Sequence, residues 1–199
     1  MRPVLDEIKE SVPEDALLVS LNGSISFELL ERILDRKIAK VIPSVTAEIN
    51  ESQTLVCYNR KVTDDDKALL LELLRCMGNV IELPEDEIGM GSELVSCMPG
   101  FIASMFDVVC QSARSHTSLT DGQIVQMVTN TLYGTGKLML EQNLSFDQVV
   151  RRVATKGGIT IEGSTVIYEI FPAVMSEVFE NTLEKRRKTE EKAREAFGM

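Results

Sequence analysis

"NVIELPEDEIGMGSELVSCMPGFIASMFDVVCQSAR", residues 79–114, is where the chain changes its architecture. Its first six residues are a short apolar run of strand length that stops at Pro84. From about residue 85 no further strand pattern occurs, and 93–114 reads as one long apolar helix that contains Pro99-Gly100. The change of period divides the chain into an α/β section over residues 1–84 and an all-helical section over 85–199.

Upstream of that point, helical and strand patterns alternate. Residues 4–12 predict a short amphipathic helix, 16–22 a strand ending at Asn22-Gly23, and 26–35 a helix capped by Ser26. Strands follow over 39–45, stopped by Pro43, and over 54–59. Residues 63–78 predict a helix with an N-cap, three aspartates in its first turn to suit the helix dipole, and Gly78 at its end. Such a layout implies a largely parallel sheet, although it starts on a helix rather than a strand.

Downstream, helices are expected over 118–142, capped by Ser118 or Thr120, over 145–154, and over 162–197 with a possible kink. Met90, Met98, Met105, Met127, Met139 and Met175 lie among these broad apolar faces. Either a dimer interface buries the excess or a methionine-rich core does.

Composition narrows the partners. A net charge of −10 repels phosphate backbones and anionic lipid, so neither nucleic acid nor a membrane surface is an expected partner. The cluster "KRRK" at 185–188 is followed at once by acidic residues and reads as a solvated helix end. No run approaches a membrane span, and the first residues lack the pattern of an export signal, which points to the cytoplasm. Cys57, Cys76, Cys97 and Cys110 are scattered in apolar contexts beside a single histidine, His116, so buried reduced thiols are expected and no metal site. His116, in a polar turn, is expected at the surface without a role. "GTGK" (134–137) lacks the strand and spacing of a phosphate loop and reads as a small-residue helix contact.

"ATKGGIT" (154–160) is different. Bare backbone at Gly157 and Gly158, between two helices, can offer N–H groups to an anion at the following helix N-terminus, and Thr160 can add a hydroxyl. A glycine C-cap followed by a threonine N-cap explains the same residues without a ligand.

Three stretches together resemble the pyrroline-5-carboxylate reductase family. "VIPSVT" (41–46) falls at its M-P-N-T-P loop, "SELVSCMPGF" (92–101) at T-A-L-S-G-S-G-P-A-Y, and "ATKGGIT" at S-S-P-G-G-T-T, in family order. The resemblance implies a truncated Rossmann-like section followed by a helical dimerisation domain, a homodimer, NADP or NAD as cofactor, and reduction of a cyclic imine to proline. It also implies site residues: Thr160 donating to the imine nitrogen as the catalytic group, Thr155, Gly157, Gly158 and Thr160 holding the substrate, and Ser44 facing the nicotinamide.

Each motif departs from the enzymes. Ser44 and Thr46 replace the loop's Asn and second Pro, Ser96 and Met98 replace two glycines, and Lys156 replaces a proline. These forms are similar to the late-competence, ComER-like members, and a side chain at position 98 blocks an approach that glycine permits. By the same resemblance, "RPVLDEI" would follow a strand, so Met1 is either a misplaced start or the beginning of a remnant without the glycine-rich pyrophosphate turn. The second reading, from another class, is a non-catalytic dimerisation or interaction module of the same fold.

Overall fold

The structure, a computed structural model, describes residues 2–198. Its α/β elements run α1 (Arg2–Ile8), β1 (Leu17–Ser20), α2 (Phe27–Glu31), β2 (Lys37–Ile42), β3 (Ser52–Tyr58), α3 (Asp64–Arg75) and β4 (Gly78–Glu82). All seven fall within or beside the segments the sequence predicts. Ser26 caps α2, its hydroxyl accepting from Leu29 N at 3.3 Å. Thr63 and Asp66 form a reciprocal capping box on α3.

The sheet has the order β1-β2-β3-β4 and is mixed rather than largely parallel. β1–β2 and β3–β4 are parallel, while β2–β3 is antiparallel, with Val41 opposite Val56. The connection explains the reversal. Residues 43–51 are too few for a crossover, which takes roughly a dozen residues or more. They instead make a 3₁₀ turn, Val45–Ile49, closed by Asn50 in the left-handed region at φ 60°. Gly78 starts β4 rather than ending the helix before it. With φ +134°, an added Cβ would lie 2.3 Å from Ser52 O, so only glycine lets β4 approach β3 there.

The alternation of β2 divides the α/β core. Ile38 and Ile42 pack with Leu5, Leu29, Leu30, Leu55 and Ile88 on one face. Ala39 and Val41 pack with Val56, Leu70 and Leu74 on the other. The first cluster also receives Ala193 and Phe197 from the end of the last helix, and Arg2 Nη1 donates to Ala196 O at 2.8 Å.

After the 3₁₀ turn Glu85–Glu87, the chain is helical: α4 (Ile88–Ser92), a π turn (Glu93–Cys97), α5 (Met98–Arg114), α6 (Asp121–Gln142), α7 (Phe146–Val153) and α8 (Ile159–Ala196). The helix passes through Pro99 because the wider π turn lies just upstream, where the proline has no N–H to donate. Thr120, not Ser118, caps α6. α8 is continuous across Pro172.

The described residues form two units. One takes in the chain up to Gly100 together with the residues from Phe179 onward; the other is Phe101–Val178. In the second unit, Cys110 and Ile124 are the buried apolar residues among those described, while Val125, Tyr133, Ile167, Tyr168 and Ile170 stay exposed. None of the six methionines named above is buried, so among the described residues no methionine-rich core exists. A Cβ added at Gly134 or Gly136 would meet nothing within 4 Å, so the expected small-residue contact is not made inside this unit.

Three further expectations need correction. Cys76 is exposed and Cys97 half-buried, so only Cys57 and Cys110 are buried thiols. Cys76 follows α3 as its C-cap, on a face the sheet does not cover. The 185–188 cluster is not wholly solvated, because Arg186 turns inward to Glu93. By length and composition, the helical run Glu85–Arg114 is long and apolar enough to cross a membrane, which a count of uninterrupted apolar residues does not reveal. His116 is exposed.

Candidate functional site

α7 ends at Val153, and Ala154 leaves the helix at φ −89°, ψ 86°, its N–H still bonded to Val150 O at 2.8 Å. A tight turn follows. Gly158 N donates to Thr155 O at 2.9 Å, and Gly157, third of the four residues, has φ +74°. These are the marks of a type II turn, which requires φ > 0 at its third position and favours proline at its second. Lys156 occupies that second position, so the turn keeps its shape although the proline of the resembling motif is gone.

The two glycines have different duties. Gly157 supplies the positive φ with open space around it, whereas a Cβ on Gly158 would lie 2.5 Å from Thr155 Oγ1 and 3.0 Å from Thr155 O. Gly158 therefore uses its N–H inside the turn, and the donors left for an anion are Gly157 N–H and the first turn of α8, which opens at Ile159. Thr160, the second residue of α8, is exposed, as are Thr155 and Gly157. The corner is open, not covered by hydrocarbon.

Ser44 sits in the other unit and is 5% exposed. Its N–H donates to Ser52 Oγ at 3.2 Å, Ser52 Oγ shares a hydrogen bond with Thr54 Oγ1 at 2.9 Å, and its own hydroxyl caps the 3₁₀ turn at Thr46 N. The structure thus gives Ser44 a buried capping role.

A dinucleotide needs a helix N-terminus for its pyrophosphate. At α2, Phe27 N already donates to Glu85 Oε1 at 2.7 Å and Leu29 N to Ser26. At α3, the first turn carries Asp64, Asp65 and Asp66. At α2 the N–H groups are already taken, at α3 the carboxylates repel phosphate, and no glycine-rich βα turn exists in the sequence. The residues present do not fit a pyrophosphate.

Sequence reading missed two ion pairs, each with one buried partner. Lys40, 2% exposed, points into the α2 face of the sheet, pairs with Glu85 and lies 4.8 Å from the centre of the Phe27 ring. Arg186 pairs with Glu93, which is 1% exposed within the π turn. The available signal was a charge at a core-facing position, Lys40 between Ile38 and Ile42. Burial pushes the Cys57 thiol up to about 11, against the opposing pull of the nearby Lys40. Cys97 is also raised, by burial and by Glu93. Among the described residues, no group of three His, Cys, Asp or Glu side chains is placed to hold a metal.

An α/β sheet section joined to a helical unit with broad unburied apolar faces defines the class, a scaffold built to be completed by association. Residues 85–189 match the family model described as pyrroline-5-carboxylate reductase dimerisation, more than half of the chain, and the protein belongs to that family. Pyrroline-5-carboxylate reductase 3 of Bacillus subtilis is 39% identical over 168 residues, covering 84% of this chain and 62% of that protein. ComE operon protein 4 of the same organism is 27% identical over 180 residues, 90% of this chain and 66% of that one. The chain therefore spans less than two thirds of the length of either relative. In fold, it matches pyrroline-5-carboxylate reductase of Streptococcus pyogenes with a TM-score of 0.82 at 17% identity, over 94% of this chain and 73% of that one. The NADP-bound Plasmodium falciparum enzyme matches with a TM-score of 0.80 at 20% identity, over 96% and 76%.

Proposed function

We propose that the protein is a cytoplasmic homodimer whose helical part serves the family's reaction, reduction of 1-pyrroline-5-carboxylate to proline, and that these 199 residues supply the imine-binding corner but not the grip on the nucleotide. The open turn at Thr155–Gly158, with its type II geometry and the free start of α8, carries this reading. Gly157 N–H and the first turn of α8 would hold the substrate carboxylate, with Thr155 at the rim. The Thr160 hydroxyl would donate to the imine nitrogen, which takes up a proton as its neighbouring carbon is reduced. NADP or NAD supplies hydride in the family. The pyrophosphate turn for it is not among these 199 residues, so no step is assigned to Ser44 beyond its place as a cap.

A second reading, a non-catalytic dimerisation module related to the late-competence members, is favoured by Met98 and Ser96 at positions where the enzymes of the resembling motif have glycine. Substrate binding separates the two. Titrating the stable five-membered carboxylate analogue L-tetrahydro-2-furoate into the protein should give saturable heat that Thr160→Val weakens severalfold. Absence of binding at millimolar ligand would favour the module.

A further inference from the structure

We propose that a cavity on the α/β unit, lined by none of the residues of the glycine turn, binds a small zwitterionic amino acid. The cavity, about 210 Å³, is lined by Leu29, the Lys40–Glu85 pair, Asp86, and Glu190 and Arg194 of α8. All belong to the same unit. Its volume is below the roughly 300–1,000 Å³ of drug-sized pockets, which suits a metabolite of a few heavy atoms.

The charges around it are divided in an informative way. Lys40 and Glu85 neutralise each other. Glu190 and Arg194 stand four residues apart in the Glu-to-Arg order that favours a helical ion pair, as Glu184 and Lys188 form six residues earlier. Among the described residues, however, neither the Glu190 nor the Arg194 side chain makes an ion pair or hydrogen bond, and both line the cavity. One uncommitted cation and two uncommitted carboxylates, Glu190 and Asp86, therefore border the same small space.

A simple anion entering it meets two carboxylates, and a simple cation meets a guanidinium. A molecule carrying both charges a bond or two apart satisfies all three, its carboxylate on Arg194 and its ammonium between Glu190 and Asp86. Leu29, 2% exposed, touches the cavity with little apolar surface, so a short side chain is what fits against it. The site shares no residue with the turn at 155–160, so it stands or falls separately from the reading above.

L-Valine and its two single-charge counterparts, isobutylamine and 3-methylbutanoate, test it by calorimetric titration into the full chain. Valine should bind, each counterpart at least roughly tenfold more weakly, since a lost charge-assisted hydrogen bond of about 1.5–3 kcal/mol corresponds to that ratio or more. Glu190→Gln and Arg194→Gln should each weaken valine by a similar factor, and Thr160→Val should leave it unchanged. Arg194 is exposed and Glu190 only half-buried, so both variants should keep the parent's circular dichroism and melting temperature. No heat with valine, equal binding of a counterpart, or unchanged binding in both variants would overturn the proposal.

Discussion

Arg186 Nη2 donates to Glu93 Oε1 at 2.8 Å, joining the last helix to the π turn across 93 residues of sequence. The pair is nearly dry, with side-chain exposures of 17% and 2%, and Glu93 Oε2 and Arg186 Nε have no hydrogen-bond partner among the described residues. Removing one partner strands a buried charge. Arg186→Ala should therefore cost about 3–5 kcal/mol in urea unfolding, whereas Arg186→Met with Glu93→Leu should lose far less or even gain. A single-variant loss under about 1 kcal/mol would show that the pair is well solvated instead.

Acid should act through Asp66. Hydrogen bonds from Thr63, first, and from Lys37 hold its carboxyl down at about 2. Because the folded value lies below the unfolded one near 3.9, the contribution to stability is complete above about pH 4 and disappears as the pH falls through about 2. Thr63→Ala should raise the Asp66 titration midpoint seen by NMR and flatten stability against pH across that window. An unmoved midpoint would leave the capping box without an electrostatic role.

The glycine turn makes two distinguishable demands. Gly157→Ala forces a Cβ into the left-handed region and should cost about 1–2 kcal/mol while leaving α7 and α8 intact. Gly158→Ala pushes a Cβ to within 3.0 Å of Thr155 O, so that backbone has to shift. Hydrogen exchange should then quicken at residues 155–160 more in Gly158→Ala than in Gly157→Ala. The reverse order would contradict the turn geometry.

Association is read from the uncovered helices. At micromolar concentration the protein should sediment as a dimer, and Met127→Glu, placing a charge on a residue 56% exposed on the apolar face of α6, should shift it towards monomer. A folded monomer in the parent sequence would remove the basis for a homodimer.

Nucleotide binding should be absent from this 199-residue polypeptide. With no tryptophan in the chain, NADPH fluorescence reports its own environment directly. A titration should show no enhancement, in keeping with the occupied N–H groups at the start of α2 and the carboxylates at the start of α3. Micromolar binding would mean that another part of the surface serves the cofactor.

Local signals were enough to read most elements from the sequence. Strand-length apolar runs marked β1 to β4, Ser26 and Thr63 announced their caps, and the loss of strand pattern after Pro84 separated the two sections. Paired glycines announced a turn because positive φ is a property of one residue. Two things were decided only by the tertiary structure: the antiparallel β2–β3 pairing, and the Lys40–Glu85 and Arg186–Glu93 pairs. The physical reason is range. Helix period, caps and turn residues act over a few positions, whereas strand direction depends on the path of a whole connection and a buried charge on which distant partner the folded chain brings to it.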